Sequence, residues 1–317
     1  MTTACLVFLS ISLVLYLGAT LLYCGHFLLD KTGWDHRGRN ALLAGAGING
    51  VGLAIHFVIS GISPFSNMLF VIAILVMALV LAGLLVEHLT RVRQLNLLIA
   101  PLAFLGLLHP VLMPVRFDGA ENILVRYPWL GVHVAVTLLG HVGFALGFCS
   151  AVIHLIQKRL LRRGRLNRYL PALDTASATT FYATGAGFLF FTIGLGMGIV
   201  WLFGAPGEYL GPRDTKIWLS LPTWGAYAVY LYARGVRGQY GSRLMWLVIV
   251  GFVLAVINLV GVRHGFEEAI DVTVSSAPLP ASPSSAPAFS CLQPALSFPP
   301  PGSASFPGAS ALHPPAS

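Results

Sequence analysis

Eight apolar stretches follow one another along this chain, over residues 5–29, 41–60, 66–86, 94–113, 130–156, 181–203, 217–233 and 244–262. Each is close to the ~20 residues that a helix needs to cross the hydrocarbon of a bilayer. Few folds accept such a pattern, because in lipid every backbone N–H and C=O must find its partner within the protein. With 56% hydrophobic and 9% charged residues among 317, the chain also has too few charges to solvate a globular surface. The first run lacks a basic leader, is too long for the core of a signal peptide and is followed by Asp30 and Lys31, so it reads as an uncleaved span. The expectation is an all-α, polytopic membrane domain over residues 1–271 with eight transmembrane helices.

The cations sort by side. If the runs cross in turn, Lys31, Arg37, Arg39, Arg91, Arg93, the basic loop from Lys158 to Arg168, and Arg234, Arg237 and Arg243 share one face. Only Arg116, Arg126, Arg213, Lys216 and Arg263 lie on the other. Cytoplasmic loops hold the excess of Lys and Arg, so both termini and the 204–216 connection are expected on the outer side. The net charge of +8 is explained by this arrangement, without a nucleic-acid partner.

Other patterns exclude function classes. Cys5, Cys24, Cys149 and Cys291 form no C-x-x-C pair, and the lack of C-x-x-C-H means that no c-type haem is attached to this chain. Gly45, Gly47 and Gly50 spell G-x-G-x-x-G, but inside an apolar run with no strand before it, where small residues serve close helix packing. Acidic residues are nearly absent from the spans, which leaves a carboxylate proton relay nothing to run on. No G-x-S-x-G, H-E-x-x-H or Walker A pattern occurs, and no enzymatic chemistry is expected. Residues 272–317 are rich in Ser, Pro and Ala, carry no Lys, Arg, Asp or Glu, and read as a disordered tail.

Histidines and aromatics carry the functional signal. Orientation places His56, His109, His133 and His264 at the outer ends of spans and His26, His36, His88 and His154 at the inner ends. His141 follows His133 by about 12 Å along the same helix, on nearly the same face. Between the spans bearing His133 and His264 lies an aromatic hairpin, Trp201 to Arg234, with Arg213, Asp214 and Lys216 in its loop and Trp224, Tyr227, Tyr230 and Tyr232 beyond. Imidazole is a common metal ligand, and ionisable groups at membrane depth usually face a cavity or bundle interior. A lone histidine at a helix end is otherwise an interfacial anchor, and Trp and Tyr otherwise form the interfacial belt. Asn49 and Asn258 are expected to hydrogen-bond between helices.

The fifth run, WLGVHVAVTLLGHVGFALGF from Trp129, resembles the W-L-x-x-H-V opening of the cytochrome c assembly family, the CcsA, CcmC and HemX-like membrane proteins that handle haem. The segment GFLFFTIGLGMGIVW is similar to that family's G-F-x-x-L-T-x-G-x-x-x-G-x-x-W span, and GVRHGF to its closing segment, with His264 on the family's histidine. The resemblance covers most of residues 40–270. The family's haem-presenting loop, W-x-W-D-P-K-E, is reduced here. With Asp214 on its Asp, Lys216, Trp224, Tyr230 and Arg234 fall on matching positions, whereas the two tryptophans become Gly211 and Arg213. The loop is closest in character to the HemX-like branch.

The resemblance implies a bacterial-type plasma membrane protein that holds haem b without covalent attachment and presents it at the outer face for cytochrome c biogenesis. Its expected partners are apocytochrome c and another membrane maturation component. A porphyrin is a broad apolar disc with two propionates and an iron, so it needs apolar walls, axial imidazoles and cations at its rim. His133 and His264 are the expected axial ligands to iron, Trp201, Trp218, Trp224 and Tyr209 the walls, and Arg213, Lys216 or Arg263 the propionate partners, with Asp214 pairing to a neighbouring cation. Two alternatives stay open: a membrane regulator of haem synthesis that contacts a soluble enzyme through the 158–168 loop, and a small-molecule permease.

Overall fold

Because a lipid-facing backbone has no water to bond, each apolar run closes its hydrogen bonds within itself, and the chain is all-α. The computed structural model describes residues 3–29, 31, 33–61, 65, 67–90, 93–113, 128–164, 169–204 and 215–260. Among them the α-helices are α1 (Thr3–Leu29), α2 (Trp34–Ser60), α3 (Met68–Thr90), α4 (Asn96–Leu112), α5 (Pro128–Arg162), α6 (Leu173–Gly204), α7 (Thr215–Leu231) and α8 (Ser242–Val260). All belong to one compact unit, Met1–Ser275. The expected tail, residues 272–317, lies outside the described residues.

Six of these helices, α1, α2, α3, α5, α6 and α8, are long and apolar enough to cross a membrane. The other two, α4 and α7, have 17 residues each. At 1.5 Å per residue they reach about 26 Å, short of a hydrocarbon core of about 30 Å. Both contain proline, Pro101 and Pro110 in α4 and Pro222 in α7, which membrane helices accept because neighbours satisfy the freed carbonyls.

The helices pack as two rings of four. In the first, α1 lies against α2 and α4, and α3 against α2 and α4. In the second, α5 packs on α6 and α8, and α7 on α6 and α8. Contact between α3 and α5 joins the rings. Lipid tails are as apolar as leucine, so little hydrophobic force draws such helices together, and close backbone approach and interhelical hydrogen bonds do the work instead.

Both devices are present. The α5–α6 pair is the most extensive helix contact in the chain, and it closes on a glycine seam. A Cβ added at Gly143 would lie 2.5 Å from the Cα of Gly187, so no larger residue fits between these backbones. Among the hydrogen bonds, Asn49 Nδ2 donates to the Ala73 carbonyl at 3.0 Å, joining α2 to α3 as expected of that residue. Asn258 is buried in α8, but its Oδ1 has no partner among the described residues.

At the end of the first ring that holds Arg39 and Glu87, the buried Glu87 carboxylate accepts a bond from Asn96 Nδ2 at 2.6 Å and lies 3.8 Å from Arg39 Nε. This ties α2, α3 and α4 at one end. The second ring has an aromatic centre, in which Phe144 and Tyr227 stack with centroids 3.7 Å apart and Phe191 tilts on Phe144 at 5.4 Å. α7 ends in a wider π turn, Tyr232–Val236, closed by the Arg237 N–H on the Tyr232 carbonyl.

Candidate functional site

His133 stands in the second turn of α5 and leans onto α6. Its Nδ1–H donates to the Gly194 carbonyl at 2.8 Å, a backbone group 61 residues away. A carbonyl oxygen can only accept, so Nδ1 carries the proton, and in the neutral ring the lone pair is on Nε2. Metal-ligating histidines usually have their second nitrogen held this way, by a backbone carbonyl or a carboxylate.

Glycine makes the fit possible. A Cβ added at Gly198 would lie 3.0 Å from His133 Cε1 and 3.6 and 3.7 Å from the two ring nitrogens. Gly194 and Gly198 are one turn apart on α6 and form a shallow groove against α5, with Thr137 lying over Gly194 and the imidazole over Gly198. Thr137, one turn further into α5, donates its hydroxyl to the His133 carbonyl at 2.7 Å.

His141 lies deeper in the ring and is buried. Its Nδ1–H donates to the Thr137 carbonyl at 2.9 Å, and its ring meets Phe191 and Phe144 edge-on, with centroids 5.7 and 6.4 Å away. It shares the tautomer of His133. About 12 Å of helix separates the two, too far for both to ligate one iron from opposite faces.

Of the expected walls, Trp201 follows Gly198 by three residues and so lies on the neighbouring surface of α6. Trp224 in α7 donates its indole N–H to Thr192 Oγ1 at 3.0 Å and tilts on Phe188 at 5.4 Å. Thr192 and Gly198 are six residues apart, roughly a third of a turn round α6, so Trp224 and His133 lean on different sides of that helix. Trp218 is exposed near the start of α7. Lys216 falls in the first turn of α7, with its side chain outside the described part. Arg213, Asp214, Tyr209, Arg263 and His264 lie outside the described residues altogether.

The glycines and Trp129 were not foreseen from sequence as parts of a site, and Arg234 was foreseen only as a match to the family's motif. Gly194 and Gly198 read as packing glycines; only their spacing in G-x-x-x-G, one turn apart, signals a groove. Trp129 precedes His133 by four residues on α5, is 52% exposed, and extends the aromatic surface outward from the imidazole. Arg234, in the π turn, donates from Nη2 to Ser177 Oγ at 3.1 Å and lays its guanidinium 3.4 Å over the Tyr240 ring. It pins the end of α7 to the far half of α6.

The histidines expected at the inner ends lie on different helices. His26 Nδ1–H donates to the Lys31 carbonyl at 2.7 Å, His154 Nδ1–H to the Leu173 carbonyl at 3.2 Å, and His88 is exposed at the end of α3. Among the described residues no three His, Cys, Asp or Glu side chains come together as a metal site.

Fold and site define a multi-pass, all-helical membrane protein with an imidazole set in a glycine groove near one end of a four-helix ring. Residues 65–267 match the family described as Cytochrome C assembly protein, and the chain belongs to that family. Among curated proteins, it is 25% identical over 232 residues to a cytochrome c biogenesis protein CcsA from Guillardia theta, covering 67% of this chain and 77% of that one. It is 26% identical over 252 residues to the CcsA of Synechococcus elongatus, covering 64% and 77%. Against the CcsA of Chlamydomonas reinhardtii, identity is 27% over 174 residues, covering 54% of this chain and 49% of that one.

Proposed function

We propose that this protein holds haem and presents it at the outer membrane face in cytochrome c biogenesis, with His133 as an axial ligand. One observation carries the reading. His133 Nδ1–H is tied to a backbone carbonyl at 2.8 Å, which leaves the lone pair on Nε2, the state that a ligand to iron requires. The glycine groove beneath the ring and the tryptophans at 129 and 201 supply the close approach and apolar surface that a porphyrin needs. The family and its CcsA relatives support the biological setting.

In this reading the chain crosses the membrane eight times with both termini outside, in a bacterial-type plasma membrane. α4 and α7 complete the crossings with the residues that flank them. His264 supplies the second imidazole, Arg213 and Lys216 neutralise propionates, and Asp214 sets the position of those cations. Haem b is cargo, held without covalent attachment. Its iron supplies the redox chemistry of the cytochrome that receives it, while this chain binds, orients and releases, and catalyses no reaction. Apocytochrome c and a further membrane maturation component are the partners.

A second reading, a membrane regulator of haem synthesis that docks a soluble enzyme, draws on the exposed Arg159, Arg162 and Arg163 at the end of α5. Binding of such an enzyme by haem-free protein would favour it.

The deciding experiment is quantification of haem as pyridine haemochrome in protein purified in mild detergent from haem-supplied cells. Wild type is expected to retain near-stoichiometric haem with sharp reduced bands, and His133→Ala and His264→Ala each to lose at least about tenfold of it. Unchanged spectra in both variants would overturn the assignment.

A further inference from the structure

We infer that Gly198 is the positioning residue for His133: its missing side chain lets the imidazole settle on α6, where the Gly194 carbonyl holds Nδ1–H and turns Nε2 into the ligating nitrogen. The carbonyl belongs to the backbone and cannot be deleted, so the residue that controls the bond is the one whose size decides whether the ring reaches it. A methyl group at 198 would sit 3.0 Å from Cε1, the carbon between the two ring nitrogens. The two nitrogens, at 3.6 Å for Nδ1 and 3.7 Å for Nε2, would be in ordinary contact, so the tight approach is to Cε1 alone. The ring would have to give by a few tenths of an ångström, a movement expected to lengthen the 2.8 Å bond to Gly194.

The bond matters because it selects the tautomer. An imidazole in water prefers its proton on Nε2, which leaves the wrong nitrogen facing a metal; a carbonyl at Nδ1 reverses that preference. It also raises the electron density on Nε2 and fixes the ring plane. Thr137 donates its hydroxyl to the His133 carbonyl within the same turn of α5. Gly196, two residues away on α6, has open space where its Cβ would be and serves as an internal control.

The role as a ligand rests on the haem reading above, but the tautomer does not, and this separates the two in one experiment. Full-length protein labelled with 15N at histidine ring nitrogens is examined by NMR in detergent, without haem, at a pH where His133 is neutral. Resonances are assigned by their loss in His133→Ala. Wild type is expected to show Nδ1 as N–H and Nε2 unprotonated. Gly198→Ala and Gly198→Val are expected to move His133 progressively toward the Nε2–H form, and Gly196→Ala to leave it unchanged. Titration with haem is expected to give about 10- to 100-fold weaker binding in the Gly198 variants.

If either Gly198 variant that folds keeps the Nδ1–H tautomer and wild-type haem affinity, the inference is overturned. It is also overturned if Gly196→Ala weakens haem binding as much, since the effect would then belong to the helix and not to the groove. If wild type shows the expected tautomer and its response to Gly198 but binds no haem, the positioning role stands and the haem reading falls.

Discussion

Thr192 holds Trp224 by one bond, and removing that bond isolates the contribution of a single interhelical contact. Polar bonds between membrane helices are worth about 0.6 kcal/mol on average and up to about 1.7. Thr192→Val is therefore expected to lower stability by about 1 kcal/mol and to change the fluorescence of Trp224, as measured by denaturant titration in detergent. Glu87→Leu should cost more, about 1–3 kcal/mol, because it strands a buried Asn96 amide donor as well as removing a bond. An unchanged denaturation midpoint would show that the Asn96 amide finds another acceptor. Residue identity made some of this legible. Asn49 was expected to bond between helices and does so, and His133 stood out at the head of its apolar run. The acceptor for His133 could not be read, because it is the carbonyl of a glycine 61 residues away and a sequence records side chains, not distances between backbones.

Helices were the easiest feature to read, since an apolar run of membrane length has no other way to satisfy its backbone. Their ends were less so. α2 begins at Trp34 and α6 at Leu173, each well before the apolar run inside it. Apolarity marks where lipid lies; a helix continues through Asp35, His36 and Arg37, or through Thr175, Ser177 and Thr179, with its hydrogen bonds intact. The glycines of α6 were legible as packing residues, but not which partner each one meets: Gly187 meets the α5 backbone, Gly198 meets His133, and Gly196 meets nothing. Substitution should separate them. Gly143→Leu is expected to force the α5–α6 seam apart, at a cost of about 3 kcal/mol or more, and to be seen as a lower melting temperature and weaker haem retention together. Gly131→Ala, at a position with open space, should leave both unchanged.

At the level of the whole molecule, sequence order put consecutive spans side by side within each ring, whereas the closures of α4 on α1 and α8 on α5, and the α3–α5 joint, emerged only in the structure. Orientation is proposed from the distribution of cations. A cysteine replacing the exposed Arg162 at the end of α5, in a cysteine-free background, is expected to react with a membrane-impermeant thiol reagent only when the inner face is opened. Labelling of intact cells at that position would reverse the topology and place the His133 groove on the wrong side for a periplasmic or luminal recipient. Within the second ring, α6 is the wall shared by two contacts: the imidazole of His133 rests on its Gly194–Gly198 groove, and the indole of Trp224 hangs from Thr192 a third of a turn round. They are geared to one shaft. A twist of α6 about its own axis would displace histidine and tryptophan together, whereas a substitution at Gly198 or at Thr192 would shift one of them alone.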